Sequence, residues 1–177
     1  SRTVMTTSSE DSSRRMAELL SRPTPRLEPD QLAAYVRRYL DRRESFLKLV
    51  DSHGAPLYAF DRAALLKRGR EFLEVFRSRI PDVHPCYALK SNNYPGVAQA
   101  LVGLGYGLDA SSGEEFRMAL DAGAAKIIFS GPGKTDEELD LAVANASRVI
   151  HMLDSPAELG NLERIAALRG VTMTCGV

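Results

Sequence analysis

The sequence predicts an α/β fold of parallel strand–helix units standing behind a helical extension. Three observations carry this. After Val83, apolar runs alternate with helical patterns of ten or so residues, recurring at roughly 20–25-residue intervals, as βαβ connectivity requires. The runs are continuously apolar rather than alternating, as expected of strands covered by helices. A polar side chain closes each of the first four runs, where loops and helix N-termini converge in parallel sheets. An open doubly wound sheet and a (β/α)8 TIM-type barrel both satisfy the pattern. A barrel needs eight strands and about 250 residues. In that case the chain supplies roughly the first half, an N-terminal portion that is incomplete as given.

Each element has its own justification. Residues 1–13 are polar and Ser/Thr-rich with no apolar h-region, so they read as a disordered lead-in and not as a secretory signal. Residues 14–22 suit a short helix, which the prolines of RPTPRLEP (22–29) end. From Asp30 to Val50, the positions Leu32, Tyr35, Val36, Tyr39, Leu40, Phe46, Leu47 and Val50 keep close to one helical face. DSHGAP, with Gly54 and Pro56, breaks that helix. LYAF (57–60) reads as a short strand. Asp61 N-caps a helix with Leu65, Phe72, Leu73 and Phe76 on its apolar face, and Pro81 stands just beyond its end. The repeat then runs VHPCYAL (83–89), a helix over 94–104, YGLDA (106–110), a helix over 113–122, and KIIFS (126–130). A helix over 136–144, RVIHML (148–153), a helix over 156–168 and a fifth strand, VTMTCGV (171–177), complete it.

Composition narrows the function. The 23 basic and 23 acidic residues cancel to a formal net charge of zero, which argues against nucleic acid or an anionic membrane as partner. There is no Trp and aromatics make up 7%, so a base-stacking platform is not expected. No stretch approaches the ~20 apolar residues that span a bilayer. Cys86 and Cys175 lie far apart, without CxxC or metal-ligand spacing, in apolar runs where buried reduced thiols are expected. A cytoplasmic setting suits them, and no metal site is expected.

Lys90, Asp109, Ser130 and Asp154 close the first four runs. Ser130 and Asp154 are read first as ordinary returns of polarity. Asp154 or Ser155 caps the following helix, and Thr135 or Asp136 the one before it. Lys90 differs. It follows CYAL directly, so its stem leaves the sheet layer; with His84, Cys86 and Ala88 on its side of the strand, it has room for a bound group. Partial desolvation there would lower the amine's pKa and free it as a nucleophile, as an aldehyde cofactor requires. Position alone leaves both a catalytic and an ordinary surface lysine open. SGPGKT (130–135) carries the tail of a phosphate-binding P-loop, but the first glycine of that pattern falls on Ile128 and Pro132 removes an amide donor. GLGYG (103–107) precedes its strand instead of following it, so it reads as a helix cap and turn, not a dinucleotide loop. His53, His84 and His151 share no spacing and read as structural.

GAPLYAFD (54–61), YALKSN (87–92), GYGLDASSGEE (105–115), FSGPGKTDEEL (129–139) and DSPAEL (154–159) occur in one order with natural spacing. Together they resemble the motifs of fold-type III pyridoxal-phosphate decarboxylases, the group that includes diaminopimelate and ornithine decarboxylases. The resemblance covers about residues 45–177 and leaves 1–44 as an N-terminal extension. It implies that 45–177 is the first part of a pyridoxal-phosphate-binding (β/α)8 barrel, followed by a C-terminal β domain, in a head-to-tail homodimer. It implies Lys90 as the family's Schiff-base lysine and decarboxylation of a basic or diamino acid, diaminopimelate favoured, with the cofactor's pyridinium ring as electron sink. Asp109 and Glu115 match acidic residues of the family and are expected to line the cofactor site beside Lys90. Helix capping or plain hydrogen bonding is the simpler role for both.

The chain also departs from the pattern. Glu114 stands where many members carry glycine, and CGV (175–177) stands near where many carry arginine and proline. The family's stacking histidine, glycine-rich phosphate loop and later glutamate–arginine motif would fall beyond Val177, so the 177 residues alone are expected to be inactive. Three other readings stand beside this one. Alanine racemases share the barrel and its lysine, although the GxDxxSxxE run speaks for decarboxylases. A non-catalytic homologue would act through protein–protein contacts, as antizyme inhibitors do. A stand-alone cofactor carrier with a single barrel domain has different motifs.

Overall fold

The structure is a computed structural model that describes residues 13–15, 17, 18, 21 and 28–177. It divides into two compact units, Ser1–Ala59 and Phe60–Val177. In the first unit the described residues between 13 and 21 are helical, in keeping with the short helix expected there. The lead-in over 1–12 and the proline-rich 22–27 lie outside the described residues.

The single helix expected from Asp30 to Val50 is two helices, α1 (Pro29–Leu40) and α2 (Arg43–His53). Pro29 opens α1, where its missing amide costs nothing. The break falls in the polar run 41–45, which carries no apolar side chain to continue the face across the joint. The strand expected over LYAF is also absent. No strand pairs with residues 57–60 among the described residues, and Tyr58 is fully exposed. An unpaired strand leaves its amides and carbonyls to water, so β-propensity alone does not form one.

In the second unit Asp61 caps α3 (Arg62–Arg77) as expected, accepting the Ala64 amide at 3.0 Å. Five strands follow: β1 (Cys86–Ala88), β2 (Gly107–Ala110), β3 (Ile127–Phe129), β4 (Val149–Met152) and β5 (Thr174–Gly176). They alternate with α4 (Pro95–Val102), α5 (Gly113–Asp121), α6 (Asp136–Ala144) and α7 (Pro156–Arg169). All neighbouring strands are parallel, in the order β1-β2-β3-β4-β5. GLGYG is a cap and turn: the Tyr106 amide reaches back to the Leu101 carbonyl at 3.1 Å, and Gly105 takes φ +88°.

Burial alternates along the strands, although the runs that form them read as continuously apolar. Leu108, Ala110, Ile127, Phe129 and Val149 are buried with Phe116 and Ala119 of α5 in one core, while Asp109, Ile128 and Ile150 remain half-exposed. The Phe116 and Phe129 rings pack with centroids 4.9 Å apart. Helices therefore cover one face. In a closed barrel the other face is the packed interior, and five strands alone leave it half open.

Candidate functional site

The carboxyl ends of the parallel strands bring Lys90, Asp109 and Ser130 to one edge of the sheet. After Ala88 the chain enters a short 3₁₀ turn, Leu89–Ser91, anchored by the fully buried Leu89. Lys90 is exposed and makes no hydrogen bond or ion pair among the described residues. The desolvation expected of it is absent, because β1 lies at the margin of the sheet with a neighbour on one side only. Its amine is unengaged.

Asp109 pairs in register with Ala88 and with Ile128, two residues below the level of Lys90. It lies half-buried on the helix-free face, and Ser130 Oγ donates to its Oδ1 at 2.5 Å. The Ser130 amide extends the ladder to the Ala110 carbonyl at 2.9 Å. Ser130, read from the sequence as a return of polarity, is thus the partner that orients Asp109. Glu115 fills its simpler role: its Oε2 accepts the Ser111 amide at 2.7 Å, while its own amide donates to Ser112 Oγ at 3.2 Å. It shapes the β2–α5 loop at the same edge. Asp154 is exposed, and the caps are Ser155 for α7 and Thr135 for α6.

The β3–α6 loop crosses over this edge. Gly131 presses on the Ser111 backbone so closely that a Cβ would come within 1.8 Å of its carbonyl oxygen. Gly133 turns at φ +65°. Lys134 does not offer itself to a phosphate. Its side chain is 1% exposed, and its Nζ donates to Glu158 Oε1 and to the Met152 carbonyl, each at 2.8 Å. Glu138 of α6 accepts the amides of Thr135 at 2.8 Å and Gly113 at 2.7 Å. The Thr135 amide foremost, with those of Gly113 and the Thr135 hydroxyl, holds the Glu138 carboxyl below the usual carboxylate range against the opposing effect of burial.

These cross-links escaped the sequence reading. The available signal was a repeated Ser/Thr-x-x-Glu spacing, at Ser112–Glu115, Thr135–Glu138 and Ser155–Glu158, which marks helix starts. It does not say that the glutamates of α6 and α7 reach back into the preceding unit. Nor is the thiol of Cys175 buried as expected; Cys86 is half-buried and Cys175 exposed, because β5 is a sheet edge. Among the described residues no helix is long and apolar enough to cross a membrane.

A family described as "Pyridoxal-dependent decarboxylase, pyridoxal binding domain" matches residues 63–174. The chain belongs to this family of pyridoxal-dependent decarboxylases. It is 35% identical over 127 residues to the diaminopimelate decarboxylase of Neisseria meningitidis serogroup A, covering 71% of this chain and 30% of that protein. The crystal structure of diaminopimelate decarboxylase from Helicobacter pylori complexed with L-lysine superposes with a TM-score of 0.65 at 30% identity, covering 73% of this chain and 33% of that one. The structure of AQ1208 from Aquifex aeolicus gives a TM-score of 0.64 at 34% identity, covering 74% and 32%. The chain therefore spans about 30% of the length of the curated relatives it matches. Its fold is α/β and corresponds to the N-terminal portion of the barrel that the motifs implied.

Proposed function

We propose that this chain carries the covalent anchor of a pyridoxal-phosphate-dependent amino-acid decarboxylase, with Lys90 as the anchoring residue and diaminopimelate as the favoured substrate. The observation that carries the reading is the unengaged Lys90 amine at the strand edge where Asp109 stands. The residues present fit the group. A primary amine free of ion pairs can condense with an aldehyde. Asp109, fixed by Ser130, sets a negative charge at that edge and favours a cationic nitrogen nearby. Glu115 holds the β2–α5 loop that walls the same edge. Bound here, pyridoxal phosphate supplies the electron sink for the bond electrons released as carbon dioxide departs.

The choice of substrate rests on the relatives, which are diaminopimelate decarboxylases, one of them solved with L-lysine. L-lysine is what remains of diaminopimelate after one carboxylate is lost. A cytoplasmic homodimer, with 45–177 as barrel and 1–44 as accessory extension, completes the proposal. The test is borohydride reduction of the protein with pyridoxal phosphate, followed by peptide mass mapping. The adduct is expected on Lys90 and is lost in Lys90→Ala. Labelling spread over several lysines and unchanged in Lys90→Ala would refute the assignment.

A further inference from the structure

One loop further along the same edge lies a buried charged cluster with no part in the site above. Lys134 of the β3–α6 loop, Glu158 in the first turn of α7 and His151 of β4 have side chains 1%, 6% and 0% exposed. Glu158 Oε1 accepts from Lys134 Nζ and lies 2.8 Å from His151 Nε2. An ionised carboxylate only accepts, so Nε2 carries the ring proton. Nδ1 is then the bare nitrogen, buried and without a hydrogen-bond partner. Lys134 also lies 5.2 Å from the centre of the Phe129 ring, and that ring meets His151 edge-on.

A buried ion pair returns little net stability compared with an apolar joint, but it has direction. It fixes the far end of a loop whose near end is already fixed. Ser130 is bonded to Asp109 and Ala110, Gly131 abuts Ser111, and Lys134 is held by Glu158 and Met152. We propose that Lys134, Glu158 and His151 are positioning residues, a buried clamp that keeps the β3–α6 loop closed so that Ser130 stays on Asp109, and that protonation of His151 opens it.

The physics follows from the neighbours. The titratable groups against His151 are Glu158 from α7, Lys134 from the loop and Cys175 at the paired position of β5. The Cys175 thiol, exposed at the sheet edge but partly desolvated by the chain around it, is raised above its ordinary value and stays neutral through this range. A second proton on His151 would sit on Nδ1, unpartnered and near the Lys134 ammonium. Burial foremost, and then Lys134, accordingly hold His151 below its ordinary value despite the pull of Glu158. The closed loop thus favours the neutral ring. Its stability is fully present above about pH 6.5, the ordinary histidine value, and declines as pH falls below it, because only the open form gains the proton readily.

Amide hydrogen exchange without added cofactor tests this. After correction for intrinsic rates, the amides of Ser130, Gly131, Gly133, Lys134 and Thr135 are expected to exchange faster near pH 5.5 than near pH 7.5, by up to about tenfold. The α5 amides of Phe116 and Ala119 should stay protected. In His151→Gln, whose longer side-chain amide can take the place of Nε2 and still donate to Glu158, the step should vanish. Three results overturn the proposal: loop exchange in the unmodified protein that ignores pH, the same acid step in His151→Gln, or loop and α5 amides rising together. The loop-against-α5 comparison decides the matter even if the variant fails to fold. The clamp's bearing on catalysis rests on the proposed place of Asp109. Because exchange needs no cofactor, a wrong Asp109 assignment leaves this result standing, and a failed clamp leaves the Lys90 trapping test intact.

Discussion

Two glycines in the β3–α6 loop show how differently one residue type can be required. At Gly131 the obstacle is space, since a Cβ would meet the Ser111 carbonyl oxygen at 1.8 Å, and a backbone atom cannot rotate aside. At Gly133 the surroundings are open but φ is +65°, which L-residues reach only with strain. Gly131→Ala should therefore cost about 1–3 kcal/mol, with the loop displaced from Ser111. Gly133→Ala should cost about 1–2 kcal/mol with the loop in place. Urea denaturation measures both, and borohydride trapping at Lys90 should weaken only in the first. Equal effects of the two on trapping would contradict this account of the loop.

At the scale of elements, three of the four crossover helices, α5, α6 and α7, begin with a Ser or Thr cap and a glutamate three residues on. In α6 both halves of the capping box are made, and Glu138 additionally accepts the Gly113 amide at the start of α5. Thr135→Ala should lose about 1 kcal/mol, as an ordinary cap does. Glu138→Gln should lose more, because its neutral amide must satisfy amides of two units, and the variant should lose part of the acid sensitivity of the parent. The sign is fixed by the lowered carboxyl: its stabilisation is present above the ordinary glutamate value and lost as pH falls through the folded one. Thermal melts of parent and variants between about pH 3 and 7 measure this; a parent melt flat with pH across that range would contradict it. The exposed Arg169–Asp140 pair between α7 and α6 should matter little by comparison.

For the molecule as a whole, the sheet has two margins, β1 and β5, each hydrogen-bonded on one side only. Lys90 stands at one of them, exposed. A barrel closes by pairing such margins through further strands, which would bury the interior face now half open at Asp109, Ile128 and Ile150. Carbon dioxide release from meso-diaminopimelate by these 177 residues should accordingly fall far below that of a protein of the relatives' full length. Comparable turnover by the two would show that five strands suffice to orient the cofactor.

The local sequence alone determined the strand–helix alternation, the cap at Asp61, the caps at Thr135 and Ser155 to within one residue, and the placement of Lys90 and Asp109 at strand ends. All of these depend on spacing and on the chemistry of near neighbours. It misjudged the break between α1 and α2, where a periodic apolar pattern spans a polar run, and the LYAF segment, which has strand propensity but no partner. Only the tertiary structure decided that Ser130 holds Asp109, that Gly131 touches Ser111, and that Lys134 and His151 meet on Glu158. Those contacts join residues as many as 24 positions apart. Register and helix packing bring such groups together, and neither can be read from any one stretch of chain.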